Sequence, residues 1–226
     1  MRWQRLCLLL LMITTIGLFS SACVTRRAAT PQGTETSEAS TPAEPTPTEG
    51  VALDDEQEVA VAGYAFQPPA GWTVETQQHA TVLIPPDADS TTGPAIVITV
   101  DLLEQLNIEG VDPDEVTTLD ALVEAVDISL NQETTEITIE SLSETTVDEI
   151  VVATAPFEGI GFGDIEDVFR GRMAVGMVDD TRGLVMLGLA TPADTWQHDE
   201  AFDAVLGSLR FFEATQSTED EDTESP

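Results

Sequence analysis

The chain has 226 residues, 42 of them acidic and eight basic, with a formal net charge of −34 at neutral pH. All eight basic residues are arginine; there is no lysine. Such a chain repels nucleic acid and anionic headgroups, because holding a phosphate backbone requires a basic footprint.

The first predicted element is an export leader. Arg2 and Arg5 form a short basic end, Leu6 to Phe19 an apolar run, and Ser20-Ser21-Ala22 a small-residue exit. The run is shorter than the about 20 apolar residues a spanning helix needs. Residues 1–22 are therefore read as a signal peptide. Of the two cysteines, Cys7 lies in that leader and Cys23 follows it, so the exported chain would hold no pair to oxidise. Its core must stand on packing alone, although the export route permits disulfides.

Cys23 is the expected lipidation site. A lipobox usually carries Leu three places before the cysteine, where this chain has Ser20, and Ser20-Ser21-Ala22 also suits ordinary signal peptidase. Three features favour acylation: Cys23 is the only cysteine left, it follows the small residues directly, and a stalk comes next. A free thiol at a secreted N-terminus has little other rationale. The stalk, residues 23–58, is clearest in TPAEPTPTEG (Thr41–Gly50). It lacks the apolar surface to offset its ordering entropy and should stay disordered, a spacer on the order of 30 Å long. The acidic tail, residues 213–226, is expected to be disordered as well.

One globular domain is predicted over residues 59–212, a normal size for a single core. Ala95 to Leu102 places Ile96, Ile98, Val100 and Leu102 on one face, the period of a strand. Leu119, Leu122, Val123, Val126 and Leu130 form a helical stripe, with Thr117 or Thr118 to cap it and Asp120 in its first turn. Ile137 to Glu140 alternates again. Phe169–Val178, the turn Asp179–Gly183 and Leu184–Ala190 read as a hairpin. Leu184 to Leu189 is apolar on both faces except at Gly188, as a covered central strand would be. Phe202, Val205, Leu206 and Leu209 mark a last helix, stopped by Gly207-Ser208 before a short strand at Leu209–Phe212. The fold class is α+β: an antiparallel sheet with helices packed on it.

Phe66-Gln-Pro-Pro-Ala-Gly-Trp72 resembles the F-x-x-P-x-G-W opening of PsbP-like domains, and the order of elements down to Val205–Phe211 is similar too. The resemblance implies an α/β/α sandwich and a non-catalytic binding or assembly role. Founding members are extrinsic photosystem II proteins, and many bacterial relatives are lipoproteins. Nothing in this chain matches a photosystem docking sequence. The motif also has a physical reading: two prolines set a turn without donors, Gly71 permits the reversal, and Trp72 buries a large area.

Each chemical motif also has a plainer reading. Phe157 to Asp164 holds Gly159, Gly161 and Gly163, but no helix follows, no lysine is present, and nearby acids would repel a phosphate; it reads as a flexible hairpin connection. Asp87 to Gly93 begins like a calcium loop but has Thr92 and Ile98 where Gly and Glu are required. Asp112-Pro-Asp-Glu115 reads as the opening of a helix. His79 and His198 lack partners at zinc spacing. Ser208 lacks the nucleophile frame. No catalytic residue, metal site or cofactor is therefore expected.

One cluster is positive: Arg170, Arg172 and Arg182 fall within the predicted hairpin. They are either locally ion-paired with surrounding acids or a bidentate anion or partner site. Arg170 and Arg172 should share a face. The reading is an exported, membrane-tethered, non-catalytic binding or assembly module, held through lipid on Cys23 on the extracytoplasmic side of a membrane. Its partner would be a protein or envelope component and not nucleic acid. The alternative is a lipoprotein that binds a small ligand or divalent cation.

Overall fold

The computed structural model describes residues 50–86, 88, 93–106, 111–162 and 165–215. The leader, Cys23 and most of the stalk lie outside the described residues. So do the tail beyond Thr215, most of Asp87–Gly93, and Gly163-Asp164.

In chain order the elements are β1 (Gln57–Val59), β2 (Tyr64–Phe66), β3 (Thr73–Gln77), β4 (Ala80–Ile84), β5 (Ala95–Leu102) and the short α1 (Leu103–Leu106). After a 3₁₀ turn at Pro113–Glu115 come α2 (Leu119–Glu133), β6 (Thr134–Ile139), β7 (Ser143–Val147), β8 (Ile150–Phe162), β9 (Ile165–Met177) and β10 (Arg182–Ala190). The chain closes with α3 (Asp199–Ser208) and β11 (Arg210–Phe211). Eight strands form one antiparallel sheet in the order β3-β4-β5-β10-β9-β8-β6, with β7 paired to the other half of β8. A second, three-stranded sheet runs β1-β2-β11.

Alternation along the strands sorts the core into two layers. On one side, Ile96, Ile98 and Val100 of β5 and Leu184 and Met186 of β10 meet Tyr64 and Phe66 of the small sheet and Phe202 and Val205 of α3. On the other, Phe157 of β8 and Phe169, Met173 and Val175 of β9 receive Leu122, Val126 and Leu130 of α2. Both layers need β10 in the middle of the sheet, which is why its sequence is apolar at consecutive positions. The expected antiparallel α+β architecture is the one observed.

Local chemistry explains the ends of the elements. Thr118 caps α2, its hydroxyl accepting from the Ala121 amide at 3.2 Å, while Asp120 sits in the first turn. The Ser208 hydroxyl donates to Val205 O at 2.7 Å and accepts from the Gln67 amide at 2.9 Å, tying the end of α3 to the Phe66–Trp72 segment. Tyr64 is fully buried and hydrogen-bonded to Thr81 at 2.7 Å. Burial pushes its phenol up to about 12, against the pull of that bond.

Two expectations change. The folded unit begins before Val59: Leu53 bridges Pro69, Asp54 N donates to Pro68 O, Ala70 N donates to Ala52 O, and β1 pairs with β2. Backbone pairing, invisible in a polar composition, recruits residues assigned to the stalk. At the other end, Thr215 N still donates to Ala60 O. Second, Gly159 and Gly161 lie inside β8 and not in a flexible connection. Gly161 has φ +68 at a register shift between Ile160 and Phe162. This bulge turns Phe162 back to the α2 side, where its ring meets Phe169 edge-on at 5.7 Å.

Candidate functional site

Strand period does put Arg170 and Arg172 on one face, and Arg182 shares it from β10. The three are not together. Arg172 lies opposite Gly188, six residues from Arg182 along β10, a separation of about 20 Å.

Each arginine has a different environment. Arg182 is a clamp: its side chain is 13% exposed, with Nε on Asp179 Oδ2 at 2.7 Å and one amino group on Ala62 O at 3.2 Å and Phe212 O at 3.0 Å. It fastens the β9–β10 turn to one end of the small sheet, where the β1–β2 turn meets the residue after β11. Burial raises the Asp179 carboxyl, but the Thr181 amide, the Arg182 and Thr181 side chains and the Arg182 charge outweigh it and hold it below the usual range. Arg172 sits under α3, 2.7 Å from Asp203, 3.8 Å from Asp199 and 5.3 Å above the Phe202 ring. Arg170 alone of the three stands well into solvent, 56% exposed and paired with Glu158 at 3.0 Å.

Next to Arg172 lies an aromatic cluster that spacing along the chain does not signal. His198, at the N-cap of α3, meets Trp72 edge-on at 5.1 Å and Trp196 at 5.9 Å. Trp196 Nε1 donates to Asp199 at 3.0 Å. Burial lowers the His198 pKa, with Asp199 pulling the other way. The other histidine, His79, is 3.6 Å from Asp101; burial raises the Asp101 carboxyl, opposed by His79 and by the Leu102 amide. Among the described residues no group of three His, Cys, Asp or Glu converges to hold a metal ion. No buried side-chain polar atom among them lacks a hydrogen bond.

One uncovered part of the sheet lies beyond Arg172. Toward the β8–β9 turn, the side facing the small sheet loses its cover, and Ile160 of β8 and Val168 of β9 stand directly opposite each other, each 43% exposed. Glu136 of β6 completes their row, and Glu158 and Arg170 form the next. Single-residue patterns missed this face because its residues flank the β8–β9 connection, where Gly159, Gly161 and Gly163 read as a loop.

Fold and site together define an antiparallel α+β domain whose buried side-chain polar atoms, among the described residues, are all hydrogen-bonded, with an open sheet face at Ile160 and Val168. Solved structures similar to it include cyanobacterial PsbP from Synechocystis, at 16% identity and TM-score 0.46, covering 76% of this chain and 100% of that one. Another is LpqN, involved in cell envelope biogenesis of Mycobacterium tuberculosis, at 12% identity and TM-score 0.47, covering 66% and 83% respectively. A protein from Bacteroides thetaiotaomicron is similar at 10% identity and TM-score 0.43 over 74% of this chain, which spans half the length of that protein. These likenesses are loose, and the architecture stands on this chain's own strand register. No family model and no curated protein matches the chain. Among the described residues no helix is long and apolar enough to cross a membrane.

Proposed function

We propose that the chain is a membrane-tethered, non-catalytic binding module, anchored through lipid on Cys23 and working on the extracytoplasmic side. The observation that carries the binding role is the uncovered sheet face at Ile160 and Val168, apolar side chains left accessible beside the solvent-exposed pair Arg170–Glu158. Scattered apolar residues are ordinary on surfaces; two that stand directly opposite each other across strands, next to an ion pair, form a place for a partner. The tether is supported by the leader ending at Ser20-Ser21-Ala22-Cys23. The fold resemblance to PsbP-like domains is consistent with assembly work and adds no partner.

Two experiments test the reading. Detergent-phase partitioning should be lost in Cys23→Ser, and mass spectrometry showing an unmodified Cys23 would refute the tether. A photo-crosslinking residue at position 168 should yield adducts in the native cell that the same residue at the exposed Glu124 of α2 does not. Equal yields would sink the docking face. Calcium or manganese binding by calorimetry at moderate salt would instead support the cation-carrier alternative.

A further inference from the structure

We infer that the open face takes a short extended segment carrying lysine or arginine among apolar residues; this deepens the binding role proposed above and rests on it. Size argues first. The face is three strands wide and about five residues long, which is roughly 200 Å², far below the about 800 Å² per partner of a stable protein pair. A folded domain or a second copy would have too little to hold; a single peptide segment matches the extent.

Charge argues second. Ile160 and Val168 form an apolar centre flanked by Glu136 across the row, Glu158 one row along, and Glu166 two residues before Val168 on the same side of β9. Arg170 is the only cation of the set and already faces Glu158 at 3.0 Å. Long cationic side chains suit such a surface, laying their stems on the apolar pair while their heads reach the ring of carboxylates. The chain's net charge of −34 adds attraction at a distance and disfavours a second copy of itself.

The test titrates the isotopically labelled full chain with the synthetic peptide acetyl-Lys-Thr-Val-Thr-Ile-Thr-Lys-amide, whose lysines, valine and isoleucine share one face when extended, at 0.15 M salt, observing methyl resonances. The Ile160 and Val168 methyls should shift and saturate. The Ile160→Thr/Val168→Thr double variant should bind about tenfold more weakly, as expected when two apolar contacts are lost. A peptide with serine replacing valine and isoleucine should bind similarly weakly. Unchanged affinity in the double variant would overturn the site, because the peptide would then be following the general acidic field. Dimerisation abolished by the same double variant would overturn it in favour of a second copy. Failure of either kind leaves the Cys23 tether standing, since detergent partitioning reads that independently.

Discussion

Arg182 and Arg170 show how little residue type says about energetic weight. Arg182 satisfies a carboxylate and two backbone carbonyls from a largely buried position. Arg182→Met should destabilise the domain by about 2–4 kcal/mol, because it strands those acceptors. Arg170→Met removes an exposed pair and should change stability by less than about 1 kcal/mol. Urea unfolding of both variants checks the contrast; equal effects would contradict the geometry. His198 carries the second prediction at this scale. Burial holds its folded-state pKa below the usual histidine value of about 6.5, so the unfolded chain binds more protons as pH falls below about 6.5. Stability should drop on acidification through that window and level off below the folded pKa. His198→Phe should remove that part of the pH dependence, seen in thermal midpoints followed by the fluorescence of the neighbouring Trp72 and Trp196. An unchanged profile would mean His198 is not the group responsible.

At the scale of elements, α3 is held by the close approach of Trp196 and Phe202 to Gly188 of β10. A Cβ at residue 188 would run into the Trp196 ring and come within 2.9 Å of Phe202. Gly188→Ala should therefore cost about 1–3 kcal/mol by overpacking, and it should shift Trp196 fluorescence by disturbing its bond to Asp199. Unaltered stability and emission would show that α3 slides freely on the sheet. The same close approach explains why one glycine interrupts an otherwise apolar strand. The stripe of α2 was legible because Leu122, Val126 and Leu130 recur at the helical period and all are buried. Strand β8 was not, because Pro156, Gly159 and Gly161 are weak strand formers individually and are tolerated only by pairing on both sides, with β9 and with β6 or β7.

At the scale of the whole molecule, the dominant feature is repulsion among 42 acids opposed by eight arginines. Compaction brings those charges closer, so salt should stabilise the fold by screening them. The thermal midpoint should rise by several degrees between 0.05 and 1 M sodium chloride at pH 7.5. Flat or falling midpoints would mean that the acids are spaced widely enough to ignore one another.

Local patterning by itself determined the fold class of this protein: a strand period in Ala95–Leu102, a helical period in α2, and a central apolar strand at Leu184–Leu189. These are properties of neighbours along the chain, set by period and composition. Only the tertiary structure decided which charges are spent and which surface is open. It parted Arg182 from Arg170 and Arg172, drew Ala52–Glu58 into the fold, gathered Trp72, Trp196 and His198, and left Ile160 beside Val168 in solvent. The physical reason is that sheet register and layer coverage arise from pairings between segments far apart in sequence, and those pairings fix each residue's burial, partners and accessible face.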